Sequence, residues 1–296
     1  MPKDIKLKPN QAKKIAEETL RAIEENQYKN TSGRTIVLDK MVQRSIMGSK
    51  LYKPDWNFDP TSLVTNNYPT ICITRESTLQ AASRLKHDNI CVLNFASAKH
   101  PGGGFLRGSL AQEESIARSS ALYQTLIKHP EYYEENKRSQ KDNIGMYLDY
   151  AIYSPDVPVI RNDKGDWLDE PYLMAVVTSP APNRSAMLMK SDDADKKVRD
   201  DIDLDTLEKT IEKALDRRMC QILSIMAKHG HRTIVLGAWG CGVFGNDPLL
   251  VAELFKENLK KLPFFDRVAF PIYDRSDSDT FRSFVQMFGP AVDCSF

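Results

Sequence analysis

Residues 101–123 read PGGGFLRGSLAQEESIARSSALY: three glycines, seven intervening residues, a glutamine, and two adjacent glutamates, Glu113 and Glu114. Glycine backbone lets a ligand approach closely. If two such carboxylates line a cleft, mutual repulsion and partial desolvation raise one pKa, leaving a protonated acid near neutrality. That arrangement suits cleavage of a glycosidic bond, where an acid protonates the leaving oxygen and water captures an oxocarbenium-like sugar. The usual glycosidase pair flanks the scissile bond. Adjacent residues do not, so one glutamate is expected to orient sugar hydroxyls. Simple dipole capping is the competing reading of acidic residues in a first helical turn. Side chains about 100° apart around a helix, however, reach one cavity together only at a helix start.

A second loop repeats the layout: RTIVLGA (232–238) reads as a strand, WGCGVFGNDP (239–248) follows, and PLLVAELFKENL reads as a helix. Gly237, Gly240, Gly242 and Gly245 permit close ligand contact. Consecutive N–H groups in such loops, and those of a helix N-terminus, hold phosphate without lysine. Asn246, Asp247 and Pro248 resemble the cap and first turn of the following helix. Other nucleotide motifs fail. Gly103 to Gly108–Ser109 has P-loop glycine spacing but no lysine, and residues 102–107 read GGGFLR rather than GxGxxG. GxSxG and HExxH are absent. Two loops between strand and helix point to a ligand with two phosphates. The residues alone therefore lead to a phosphate-bearing glycoside.

Short β-branched runs at 70–74, 89–95, 173–178, 232–238 and 267–273 predict strands covered on both faces. Helical patterns lie at 10–26, 37–49, 77–86, 113–128, 203–230 and 248–262. In the fourth of these, Ile116, Ser120, Tyr123 and Ile127 mark an inward stripe. This alternation predicts a layered α/β domain with a parallel or mixed sheet. Residues 1–55 read as a helical lead-in without chemistry of its own, and about 139–170 as a β-hairpin insertion with its turn at DKG. The charge run 190–203 reads as a solvated loop.

Composition narrows the function class. Net charge is +1, so no overall field recruits nucleic acid or an anionic membrane. There is no run of about 18 apolar residues, and the opening MPKDIKLKPN lacks a signal-like apolar region, so neither a membrane span nor a secretory signal is expected. The five cysteines, Cys72, Cys91, Cys220, Cys241 and Cys294, show no metal-ligand spacing. They predict no zinc and a reducing, intracellular setting, cytoplasmic or, in a eukaryote, nuclear. Cys72, Cys91 and Cys241 are expected to be buried free thiols.

The GGG–x7–QEE pattern resembles the signature of poly(ADP-ribose) glycohydrolases, whose catalytic domain is a macrodomain. GGGFLRGSLAQEE and GAWGCGVFGNDP are similar to the bacterial or microbial-type branch, as are AEETLRAIEE, NFASAKHPGGG, SPDVPVIRND and SPAPN. The resemblance spans nearly the whole chain. It implies a three-layer α/β/α fold with a mixed central sheet, an N-terminal helical extension (1–55) and a catalytic domain (56–296). It implies hydrolysis of ribose–ribose O-glycosidic bonds to release ADP-ribose, with no cofactor and no metal. Under it, Glu114 is the acid that then helps activate water, Glu113 holds the hydroxyls of the cleaved ribose, and Asn94 contacts that ribose. Gly102, Gly103 and Gly104 close around ribose and phosphate, and Gln112 is a further substrate-binding residue. Gly240, Cys241, Gly242, Val243 and Phe244 wrap the diphosphate, with Phe244 on the distal ribose, and Asn246 is a further substrate-binding residue. Thr74, Glu76, Phe270 and Tyr273 are the adenine-pocket candidates. His100 departs from the asparagine expected before PGGG and is read as a bystander. The implied partners are poly(ADP-ribose) or ADP-ribosylated macromolecules, with no membrane and no strong general nucleic-acid binding. Removal of mono-ADP-ribose from protein or nucleic acid, and non-catalytic ADP-ribose reading, are the alternatives.

Overall fold

Period-2 burial and helical amphipathicity sort the chain into ten α-helices and nine strands among the described residues. The computed structural model describes residues 7–59, 63, 68–141, 143–189, 203–273 and 277–289. In chain order these are α1 (Pro9–Glu24), β1 (Gln27–Lys29), β2 (Thr35–Val37), α2 (Asp39–Gly48), β3 (Lys50–Tyr52), β4 (Thr70–Thr74), α3 (Thr78–Arg84) and β5 (Cys91–Phe95). Next come α4 (Gln112–Ser119), α5 (Leu122–Leu126), α6 (Pro130–Ser139), β6 (Ala151–Arg161), β7 (Trp167–Ser179) and α7 (Arg184–Leu188). The chain continues with α8 (Leu204–Lys228), β8 (Thr233–Val235), α9 (Pro248–Lys261), β9 (Arg267–Pro271) and α10 (Asp279–Phe288).

Seven strands form one mixed sheet in the order β3-β6-β7-β5-β8-β9-β4. β3, β6 and β7 are antiparallel neighbours. From β7 through β5, β8 and β9 to β4 every pairing is parallel. Parallel strands deliver their carboxyl ends to one edge, so the loops leaving β4, β5, β7, β8 and β9 meet there. In open α/β sheets that edge is where ligands sit.

Alternation along β5 shows why there are three layers. Cys91 and Leu93 face a core built with Met219 and Ile222 of α8, Phe255 of α9 and Phe284 of α10. Val92 faces the opposite core with Leu79 of α3, Ile116 of α4, Leu122 of α5 and Tyr132 of α6. Helices cover both faces, as a continuous apolar strand requires. The three-layer α/β/α, macrodomain-like arrangement is therefore present.

Several expectations need adjustment. The helix expected over 113–128 breaks at Ser120, whose extended backbone (φ −147°, ψ 175°) pairs with Val159 of β6. The stripe consequently ends early: Ile116 and Ser120 are buried, but Ile127 is exposed. The predicted hairpin forms, with its two strands in the main sheet. The lead-in contributes β3 to the same sheet, and α1 backs the glycine loop: a Cβ on Gly108 would lie 2.2 Å from the Pro9 carbonyl oxygen. α6 and α10 went unpredicted; α6 buries tyrosines rather than aliphatics, so its pattern reads as polar. Cys91, Cys220 and Cys241 are free, but Cys72 is disulfide-bonded. Its burial fits a thiol or a disulfide equally, so the free-thiol reading of Cys72 is corrected and cysteine usage no longer argues for a reducing setting. Most of the 190–203 charge run lies outside the described residues. Among them, no helix is long and apolar enough to cross a membrane.

Candidate active site

The loop leaving β5 folds back so that the first turn of α4 lies against the strand it left. Gln112 makes this contact: the Phe95 N–H donates to its side-chain oxygen (2.9 Å), and its amide donates to the Leu93 carbonyl (2.8 Å) and the Thr78 hydroxyl (3.2 Å). Gln112 was assigned to substrate binding. These bonds make it a strut that docks α4 on β5. A side-chain ladder of this kind cannot be read from the letters QEE.

Docking turns the adjacent glutamates in different directions. Glu113 points inward and is 3% exposed. The Ser97 N–H donates to one carboxylate oxygen (2.7 Å) and the Asn94 side-chain amide to the other (3.2 Å). Burial pushes its carboxyl up to about 8; the Ser97 and Asn94 donors pull it back and the neighbouring Glu114 pushes it further. Asn94 is fully buried and also donates to the Thr178 hydroxyl (3.2 Å), while its own side-chain oxygen has no partner. Turning that amide over would place the free oxygen opposite Glu113, ready to accept the proton of the neutral acid. Asn94 thus belongs to the floor beneath Glu113.

Glu114 is half-buried and reaches the glycine loop, where the Gly104 N–H donates to its carboxylate (2.9 Å). Gly103 is the point on which both acids converge. A Cβ there would lie 2.4 Å from Glu114 Oε1 and 3.0 Å from Glu113 Oε2, and its φ of +61° disfavours any side chain. The neighbouring Gly102 would meet Phe105 at 2.9 Å and Ala117 at 3.2 Å, so it is packed shut. His100 is exposed.

The neutral form of Glu113 links it to stability. An unfolded-chain carboxyl titrates near 4.5 and the folded one near 8, so the native state holds the extra proton between those values. Its contribution is fully present below about pH 4.5 and is lost as pH rises through about 8. Urea midpoints of the wild type should therefore fall between about pH 5 and pH 8 more steeply than those of Glu113→Gln. Parallel curves would remove the assignment.

The loop after β8 lies beside the first because β8 neighbours β5. Trp239 is fully buried and its indole N–H donates to the Ser179 carbonyl (3.1 Å), anchoring the loop to the end of β7. Asn246 is another of the substrate-binding expectations. It is 2% exposed, with its amide donating to the carbonyls of Pro182 (2.8 Å) and Gly240 (3.0 Å). It ties the loop's two ends together through both amide hydrogens. Asp247 caps α9 through the Leu249 N–H (2.9 Å) with Pro248 in the first turn, as the sequence predicts. The loop's middle stays open: Gly242 has empty space where a Cβ would be, Val243 is 84% exposed, and Cys241 and Phe244 are half-buried. Phe244 leans on buried Tyr147 (ring centroids 6.1 Å). Tyr147 takes a left-handed φ of +56°, and its carbonyl accepts from buried Arg218 (2.9 Å).

The adenine candidates separate. Phe270 has no exposed surface and packs among Phe255, Phe284 and Phe288, so it is a core residue and cannot cover a base. Strand alternation puts it on the α9–α10 face of β9. Tyr273, just past β9, is 63% exposed at the edge where the loops meet. Thr74 donates to Glu76 (2.8 Å), which is ion-paired with Arg84 (2.6 Å), so both are already engaged with each other and with α3.

Residues 16–162 match the family described as microbial-type PARG, catalytic domain. No curated protein matches the sequence. Among solved structures, the poly(ADP-ribose) glycohydrolase of Thermomonospora curvata is 39% identical, with 94% of this chain and 100% of that one covered at a TM-score of 0.81. The same enzyme bound to the inhibitor ADP-HPD gives 39% identity, coverage of 94% and 99%, and a TM-score of 0.79. The Deinococcus radiodurans enzyme in complex with ADP-ribose is 32% identical, with coverage of 85% and 98% and a TM-score of 0.71. Sequence and fold agree over almost the full length: this chain belongs to the microbial-type poly(ADP-ribose) glycohydrolase family.

Proposed function

We propose that the chain hydrolyses ribose–ribose O-glycosidic bonds in poly(ADP-ribose) and releases ADP-ribose, with Glu114 as the proton donor. The observation that carries this reading is the convergence of two carboxylates on the bare backbone of Gly103. The bare backbone of Gly103 lets both carboxylates sit against the loop, and the ribose is held over that pair. Glu113, fixed by Asn94 and Ser97, holds ribose hydroxyls. Glu114 has the partly open position and protonates the departing ribose oxygen. Its carboxylate then takes a proton from the water that captures the oxocarbenium-like sugar. The Gly104 N–H keeps that carboxylate aimed into the cleft in between.

The open middle of the second loop, with Gly242 and Val243 at its tip and α9 behind it, takes the diphosphate through backbone N–H groups. Phe244 lies against the distal ribose and Tyr273 covers the adenine. Crystal structures of relatives with ADP-ribose and ADP-HPD support a ligand of this class.

The deciding experiment incubates the protein with automodified polymer and identifies the released product by mass, beside a mono-ADP-ribosylated protein as the competing substrate. ADP-ribose released from polymer is the expected product. Activity confined to the mono-modified substrate, release of phosphate, or binding without turnover would overturn the reading.

A further inference from the structure

α4 carries both glutamates, yet its first turn has no side-chain cap: the N-cap position is Ala111, which has nothing to offer an N–H. Its placement therefore depends on what holds it from outside. Gln112 docks it on β5, and Thr19 of α1 donates to the Arg118 carbonyl near its end (2.7 Å). A third attachment comes from the turn between β6 and β7. There the Asn162 side-chain oxygen accepts from the N–H groups of Lys164 (2.9 Å) and Asp166 (3.0 Å), fixing the turn and turning Asp163 away from the hairpin. One Asp163 carboxylate oxygen accepts from the Ser115 hydroxyl (3.2 Å), and the other from the Ser77 hydroxyl (2.5 Å).

These two serines belong to different halves of the cleft. Ser115 directly follows Glu114. Ser77 caps α3, accepting from the Gln80 N–H (3.0 Å), and directly follows Glu76, whose carboxylate accepts from Thr74 at the end of β4. A single carboxylate thus spans the starts of two helices, one behind the acid and the other behind the β4 end of the sheet. α3 has a complete capping box of its own and does not need Asp163 to form, whereas uncapped α4 has no such internal anchor.

We propose that Asp163 is a positioning residue for the reaction, setting α4 against α3 and thereby aiming the Glu114 carboxyl. The proposal rests on the functional reading above. Asp163 touches neither carboxylate of the acid pair; it acts through Ser115. It also lines an open cavity of about 330 Å³ with Arg84, Arg161 and Tyr172, so its carboxylate faces solvent space and its loss need not unfold the protein.

The test compares Asp163→Ala, Asp163→Asn and Ser115→Ala with the wild type. Small displacements of a reacting group cost rate rather than affinity. Asp163→Ala should therefore lower kcat on the polymer about tenfold while KM and the ADP-ribose Kd stay within about twofold. Asp163→Asn keeps an acceptor for one serine and a hydrogen-bonding amide for the other, and should retain about half of the wild-type kcat or more. Ser115→Ala combined with Asp163→Ala should be no worse than Asp163→Ala alone, because both remove the same link. Amide hydrogen exchange over Gln112–Ser119 should quicken in Asp163→Ala. That readout needs no turnover, so an inactive wild type would sink the functional reading and still leave exchange to decide on Asp163. The proposal is overturned by an unchanged kcat in Asp163→Ala, by equal losses in the Ala and Asn variants, or by unaltered exchange across α4. Should Asp163→Ala prove insoluble, Ser115→Ala alone carries the same kcat, KM and exchange criteria.

Discussion

Glu114→Gln should lower kcat on poly(ADP-ribose) by about 10³-fold or more while leaving ADP-ribose affinity within about threefold. Glutamine preserves the length and shape of the side chain, and its carbonyl can still accept the Gly104 N–H that holds the native carboxylate. The cleft should therefore keep its form. What disappears is the proton, and with it both the departure of the ribose oxygen and the later activation of water. Single-turnover assays with defined polymer, together with calorimetric titration of ADP-ribose, measure the two quantities separately. Near-native turnover in a folded Glu114→Gln protein would falsify the assignment of the acid. Matched losses in binding and turnover would instead make Glu114 a residue that grips the sugar.

The second large effect is expected at a residue with no functional group. Gly103→Ala would place a methyl 2.4 Å from Glu114 Oε1 and 3.0 Å from Glu113 Oε2, at a φ of +61°. The left-handed backbone alone costs roughly 1–2 kcal/mol for a residue with a Cβ. The clash then forces Glu114 off the Gly104 N–H, since Glu113 is enclosed and cannot yield. Displacing a reacting group by about 1 Å can cost about 10²-fold in rate, and that is the loss expected in kcat. Gly230→Ala separates the two causes: its φ of +77° imposes the same backbone strain, but nothing lies within 4 Å of the added carbon. It should lower the Tm comparably and leave kcat unchanged. Equal kcat losses in both variants would show that general destabilisation, not crowding of the acids, is responsible.

Much of this architecture was legible before any coordinates. Glycine loops at strand ends, Pro248 after a capping Asp247, and β-branched runs between amphipathic helices are local signals, because backbone preference and period act over a few residues. They located both glycine loops and the start of α4. The helix break at Ser120 was not legible. It is made by pairing with Val159, a residue remote in sequence. α6 was missed because its buried face consists of Tyr132, Tyr133 and Asn136, which ordinary hydropathy does not read as a core stripe.

Within the site, residue types identified the chemistry and packing assigned the parts. The letters QEE gave an acid pair next to bare backbone, yet Gln112 proved to be a strut, Glu113 the enclosed member and Glu114 the one reaching the cleft. Asn246 and Phe270 moved in the same direction, from candidate ligand contacts to a loop tie and a core ring. Asp163 is in a hairpin turn that offered no sign of touching two helices. What the sequence determined by itself was where bare glycine backbone lies between strand ends and helix starts, since glycine spacing, caps and periodicity are encoded locally. What only the tertiary structure decided was which polar side chains remain free to meet a ligand. Burial and hydrogen-bond partnership are set by segments tens of residues apart, and a donor already engaged by another segment's carbonyl is lost to the substrate.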